Sequence, residues 1–401
     1  METASARVVP AVESAPAALS PALTIADLFA PEKLYDPRQP YDTTGISPDG
    51  DADCNGLTGA HHLVAAGGLR VVCHRDAASP AALELLELAG HTVAAEPVVY
   101  GSRAEYDAIL AAARPEEVVY QHVHPESEAP PETYAVPREL LVRLTNKSLL
   151  HEFVEPEHVA RRRTVATAEL EAAVSADDLP VVLKAACDES LGGGDGVRIC
   201  RAPADVSAAA RDFAAAPAVV VEEYVPVLSN WCVNFGVVPD QPVRYVGAAE
   251  QIVSSGGAYQ GSRIGRTPPR AVVDAACSTV ERIRDDGYRG LAGFDVVETV
   301  DGAAVVLDLN CRLNACTAAL LLHEPIQEWS GSPTMVASSW ETTLDDSRLL
   351  AAVLELVDRR RLVPTGSFLP AEGKRTVWGV ALGESLAGAL AGVVDVREAF
   401  A

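Results

Sequence analysis

Lysine is scarce in this chain: 401 residues contain only Lys33, Lys147, Lys184 and Lys374. Arginine supplies the remaining basic charge, and 56 acidic residues against 32 basic ones leave a net charge of −24. That balance argues against nucleic acid and anionic membranes as principal partners. Although 48% of the residues are hydrophobic, no run of about 18 apolar residues occurs, so no membrane span is expected. The eight cysteines include no CxxC pair. Cys311 and Cys316 have the wrong spacing for a zinc knuckle, and the thiols read as reduced side chains filling apolar space. The opening METASARVVPAVESAPAALSPAL lacks a basic segment followed by a compact apolar core. It reads as a disordered Ala/Pro-rich lead over residues 1–30, not as a secretion signal, and places the protein in the cytoplasm.

What is present is a βαβα alternation from about residue 68. GLRVVCHR (68–75), TVAAEPVVY (92–100) and EEVVYQHVH (116–124) read as strands, and PAALELLELAG (80–90) and EYDAILAAA (105–113) as helices. This pattern predicts a parallel sheet carrying helices, over 31–137. Residues 31–60 read as loop-rich, and 138–176 as broken helix. A second region, 138–226, holds strands around a glycine-rich turn. A third, 227–330, holds paired strands, the amphipathic helix 271–287 and a hairpin. Residues 331–401 read as an α/β extension of two helices and two short strands. His122 and His124 end a strand of the first region, where a pocket wall and an ordinary buried or exposed imidazole both stay open.

The hairpin GFDVVETVDGAAVVLDLNCRLN (293–314) carries the sharpest signal. A two-residue turn at Asp301-Gly302 would set Val300 opposite Ala303, Val297 opposite Val306 and Asp295 opposite Asp308. Opposed like charges destabilise a strand pair, so two facing carboxylates need a reason. Period 2 puts Asn310 and Arg312 on the face of Asp308. Asp295, Asp308 and Asn310 offer oxygen donors alone, which suit a hard cation such as Mg²⁺. Arg312 would stabilise charge on a phosphoryl group beside it. In VVLKAACDESLGGGDGVRIC (181–200), Lys184 stands in an apolar strand before a loop whose glycines could bring backbone N–H groups to phosphate oxygens. An ordinary hairpin turn is the alternative. Lys147 opens a helix that Asn146 or Ser148 could cap.

Taken in order, Lys147, Lys184 with SLGGGDG, VVVEEYV (219–225) and GFDVVE…VLDLNCRLN resemble the ATP-grasp superfamily over roughly 140–325. The resemblance implies an α/β (α+β) ATP-grasp fold behind a pre-ATP-grasp domain. It implies ATP held by Lys147, Lys184, Ser190, Gly192, Gly193, Gly194 and Gly196, with Glu222, Glu223 and Val225 at the adenine and ribose and Asn230 beyond them. Asp295, Asp308 and Asn310 would hold one or two Mg²⁺ ions, or Mn²⁺. Arg312, Lys184 and Arg263, the last in the glycine-rich stretch 251–268 read as a substrate loop, would act in the chemistry. Both acidic positions are Asp, where the second is commonly Glu in that superfamily. The activity implied is ligation of a carboxylate to an amine through an acylphosphate, releasing ADP and phosphate. The tail and the Ala/Arg-rich composition resemble pheganomycin-type peptide ligases of natural-product biosynthesis. A small-molecule kinase and a non-catalytic ATP-binding protein are the alternatives. The partners implied are small-molecule carboxylate and amine substrates, with a homodimer left open.

Overall fold

The computed structural model describes residues 18–43, 45–46, 50–93, 95–189, 191, 194–254 and 258–401. Its first sheet contains β1 (Leu34–Asp36), β2 (Arg70–His74), β3 (Val98–Tyr100) and β4 (Val118–Tyr120), all parallel, in the order β3-β2-β1-β4. Parallel strands need crossovers, and the helices Pro80–Leu88 and Arg103–Ala111 supply two of them. Ser79 and Ser102 cap these helices by accepting from the N–H groups of Ala82 and Glu105, the expected use of serine at that position. β1 and the helix Asp51–Ala60 fall in the stretch expected to be loop. The three residues of β1 are too few to show a period.

Residues 18–30 correct the expected disordered lead. Leu19, Leu23, Ile25, Leu28 and Phe29 are buried in the main core, and Ala22 N–H donates to Leu321 O at 2.9 Å. Ala and Pro fill five of its thirteen positions, but Leu, Ile and Phe fill another five, and all of these find cover.

A second sheet is antiparallel: β5 (Arg162–Ala166), β8 (Ala218–Glu223), β6 (Val181–Ala186) and β7 (Val197–Cys200), in the order β5-β8-β6-β7. The helix Pro203–Asp212 covers it over a separate small core that includes Leu183, Phe213 and Val219. β5 replaces part of the broken helix expected over 138–176. The run Arg161-Arg162-Arg163 hides its alternation.

The third sheet has eight antiparallel strands. They are β9 (Val227–Val237), β10 (Arg244–Val253), β11 (Tyr259–Ile264), β12 (Gly290–Thr299), β13 (Ala304–Asn310), β14 (Thr334–Thr342), β15 (Leu362–Phe368) and β16 (Arg375–Gly383). Their order is β13-β12-β9-β10-β11-β14-β16-β15. The segment expected as an extension thus completes this sheet. β14 pairs with β11, and the edge strand β15 is covered by helices of the first region. Covering an edge removes a template for unwanted pairing. β11 replaces part of the loop expected over 251–268.

Candidate active site

The hairpin β12–β13 places Asp295 opposite Asp308, as expected, but by a different route. Thr299 N–H donates to Ala303 O at 2.9 Å, so the loop has three residues, Val300-Asp301-Gly302, with Gly302 at φ +84°. Val297 accordingly faces Val305, not Val306. A bulge then leaves Leu307 over in the ladder and restores the aspartate pairing. Bulges recur beside active sites, where they re-aim groups. Here the Leu307 carbonyl accepts from Lys184 Nζ at 2.9 Å.

Around the aspartates, Asn310 Nδ2 donates to Asp295 Oδ2 at 3.1 Å and Gln251 Nε2 to Asp295 Oδ1 at 2.7 Å. Lys147 Nζ donates to Asp308 Oδ2. Asn146 caps the 3-10 helix Lys147–Glu152 by accepting from Ser148 N–H at 3.1 Å. The two carboxylates titrate apart. Burial first, and Asp308 second, push Asp295 up to about 6. Burial also opposes ionisation of Asp308, but Lys147, Lys184 and Arg312 together hold it below the usual carboxylate range. Two facing carboxylates and an amide oxygen fit a divalent hard cation, whose charge would relieve the repulsion that raises Asp295. Among the described residues no cluster of three or more His, Cys, Asp or Glu side chains forms a metal site of another kind.

Lys184 lies on β6 with its side chain 5% exposed and pairs with Glu222 Oε1 at 2.6 Å. Burial pulls this ammonium below its ordinary value, and Glu222 opposes the shift. Arg162, on β5, places Nη2 3.5 Å from Glu222 Oε2 and donates to Lys147 O at 2.7 Å. The Glu222 carboxylate thus faces two cations. Glu223 is held by Arg161 at 2.7 Å, and Arg201 stacks over the Tyr224 ring at 4.9 Å. Arg312 Nη2 reaches Leu191 O at 3.4 Å, linking the end of the β12–β13 hairpin to the glycine loop. Gly194 has φ +96°. A Cβ on Gly196 would lie 2.3 Å from Leu191 Cδ1, so a side chain there would require Leu191 to move. Ser190, Gly192 and Gly193 lie outside the described residues.

These groups line one cavity of about 1300 Å³ between the three sheets. Lys147, Lys184, Gly194, Gly196, Glu222, Glu223, Val225, Asn230, Asp295, Asp308, Asn310 and Arg312 all border it. Arg263 does not. It faces Glu250 across β10 and β11 at 3.5 Å, and Arg266 contacts the same carboxylate. Strand parity turns that pair away from Gln251 and Asp295. Sequence reasoning passed over Arg162, Gln251 and Arg201. Gln251 lies in the strand expected over 242–253 and could have been found by following its parity. Further parts of the wall come from the first region, through His61, His62, Gln121 and His122, and from the last, through Ser338, Trp378, Leu390 and Arg397. His124 is buried elsewhere, with Nδ1 2.9 Å from Glu128 Oε1.

Two family models match the chain. One, for the N-terminal domain of L-aspartate–L-methionine ligase, covers residues 24–142, and the other, for the ATP-grasp region of the same ligase, covers 160–310. Together they span about two thirds of the sequence. Among solved structures, N5-carboxyaminoimidazole ribonucleotide synthetase in an ADP complex matches at TM-score 0.56 and 15% identity, over 93% of this chain and 97% of that one. An L-amino acid ligase from Bacillus licheniformis matches at TM-score 0.54 and 13% identity, over 92% and 97%. Phosphoribosylamine–glycine ligase from Thermotoga maritima matches at TM-score 0.54 and 14% identity, over 91% and 96%. With the ordered motifs and the cavity they border, these matches lead to one conclusion: the chain belongs to the ATP-grasp superfamily and is an ATP-dependent carboxylate–amine ligase.

Proposed function

We propose that the protein joins two amino acids, an acidic one such as L-aspartate and an apolar one such as L-methionine, through an acylphosphate. The observation that carries this reading is the single cavity in which the ATP-site lysines and paired aspartates share walls with the apolar Trp378 and Leu390. The matched family is described as a ligase of those two amino acids, which supports the choice of substrates. A dipeptide product also suits the peptide natural-product setting expected from the chain's layout. The free cysteines and the ATP requirement suit the cytoplasm. Among the described residues no helix is long and apolar enough to cross a membrane.

In this reading the adenine lies against the backbone of Glu223–Val225, and Lys147, Lys184 and the glycine loop receive the phosphates. Asp295, Asp308 and Asn310 would hold Mg²⁺, one or two ions, with Mn²⁺ fitting the same donors; bound there, the cation neutralises charge on the nucleotide phosphates. A carboxylate is a poor electrophile, and phosphorylation gives it a leaving group. Arg312, beside the glycine loop, sits where it can balance the charge of the transferring phosphoryl group. Lys147 and Lys184 keep their contacts to Asp308 and Glu222 and so hold their own positions before ATP arrives. Arg263, tied to Glu250, would act on substrate only indirectly, through the β10–β11 pair.

The test is ADP release across pairs of amino acids, with products identified by mass spectrometry. Release of ADP with L-aspartate and L-methionine, and a product of their summed mass less one water, supports the reading. A stable phosphorylated substrate without an amide would favour a kinase. ATP binding without turnover on any pair would favour a binding protein.

A further inference from the structure

His122 borders the cavity and takes no part in holding nucleotide or metal. It follows β4, at the carboxyl end of a parallel sheet, where such sheets bind their ligands. Its position is fixed by its neighbour. Gln121 Nε2 donates to Leu313 O at 2.7 Å, and Leu313 N–H donates to Gln121 Oε1 at 3.1 Å. This two-bond clasp joins the first sheet to the segment just past β13, so that His122 and Arg312 border the same cavity. Tyr35 O–H donates to the same Gln121 Oε1 at 2.6 Å and meets His62 Nδ1 at 2.8 Å, which stiffens the clasp. The His122 side chain is buried, yet its Nδ1 has no hydrogen-bond partner among the described residues. Nδ1 is closed off, so the ring nitrogen left open to the cavity is Nε2.

The second half-reaction gives Nε2 a task. An amino-acid acceptor arrives as an ammonium and must lose a proton before nitrogen can attack the acyl carbon. We propose that His122 receives this amine: its imidazole accepts a hydrogen bond from the acceptor's amino group and takes the proton the ammonium gives up. The free amine then attacks the acylphosphate carbonyl. The C–N bond forms, the C–O bond to phosphorus breaks, and the second N–H proton leaves with phosphate. This rests on the reading of the acceptor as an amino acid. The charged and titratable groups facing His122 are Arg312, His124 and His62, and burial first, then Arg312, holds the imidazole well below its ordinary value and hence neutral. Arg312 disfavours both an imidazolium and an ammonium at this spot. The negative acylphosphate, once formed, offsets the guanidinium and restores basicity to the imidazole when it is needed.

Hydroxylamine provides the discriminating probe, because it is unprotonated at neutral pH and needs no base. With ATP, Mg²⁺ and L-aspartate, His122→Ala should form aspartyl hydroxamate within about threefold of the unaltered protein. Its kcat/KM for L-methionine as acceptor should fall on the order of 10²-fold and recover as pH is raised. His122→Asn, which keeps a polar side chain but accepts no proton, should show the same split. Equal losses with both acceptors, no loss with either, or full activity in His122→Asn would each overturn the proposal. A thermal melt of each variant with ATP identifies equal losses that arise from misfolding, which count against the proposal as well. If the unaltered protein joins no amino-acid pair, the substrate reading falls and this inference with it. Normal joining by His122→Ala overturns this inference alone.

Discussion

The Glu222 carboxylate, 3% exposed, lies between Lys184 Nζ at 2.6 Å and Arg162 Nη2 at 3.5 Å. Its worth is measured by what its loss of partners would cost. Lys184→Ala leaves a buried carboxylate with one longer contact, so about 3 kcal/mol of stability should be lost, read by denaturant unfolding without ligand. ATP should then protect the variant far less than it protects the unaltered chain, because a ligand stabilises only as far as it binds. Asp308→Asn keeps shape and removes charge where Lys147 and the aspartate pair meet. ATP turnover should drop roughly 10²–10³-fold with the unfolding midpoint little changed, measured by ADP release. Unchanged turnover in either variant would remove the residue from the site.

At the scale of elements, the hairpin shows how a correct contact can come from a wrong register. A two-residue turn and an unbroken ladder put Asp295 against Asp308. The molecule uses a three-residue loop and one bulge, and the two shifts cancel. The Asp-Gly signal was legible because turn chemistry is local. The bulge was not, because no local pattern marks it; in the fold the carbonyl of the extra residue, Leu307, accepts from Lys184 of another sheet. A second junction can be tested directly. On β15, a Cβ at Gly366 would lie 2.1 Å from Ala60 O and 2.6 Å from Gly59 O. Gly366→Ala should therefore cost about 1–3 kcal/mol, seen in thermal unfolding, by forcing the helix Asp51–Ala60 off the sheet. A neutral outcome would mean the junction yields without strain.

For the whole molecule, the last region joins the others into one body. His91 of the first region donates through Nε2 to Pro364 O on β15 at 2.9 Å. Burial holds His91 down to about 4, and its backbone hydrogen bonds oppose the shift. A folded value below the unfolded one means that the unfolded chain binds the proton first. The contribution of a neutral His91 is therefore complete above about pH 6.5 and is lost progressively as pH falls toward 4. Between about pH 7 and pH 5 this one group should lower stability on the order of 2 kcal/mol. His61 and His62, held down to about 4 and 3 by burial, add to the same slope. His91→Gln should flatten the pH dependence of the unfolding midpoint. An unchanged slope would mean that the imidazole is reached by water before unfolding.

The sequence by itself determined the fold class, the parallel first sheet, the lysine and glycine-loop motif and the placing of both aspartates on one hairpin. Each of these rests on local signals: period 2, helix caps, a turn dipeptide, and a lysine kept where arginine is otherwise used. Only the tertiary structure decided that Glu222 is matched to Lys184 and Arg162, and that Arg263 turns away with Glu250. It also decided that residues 331–401 complete the third sheet, and that His122 borders the same cavity as Arg312. Those outcomes depend on which faces of distant strands meet. Burial, desolvation and ion pairing arise only where the chain closes on itself, from residues up to a few hundred positions apart.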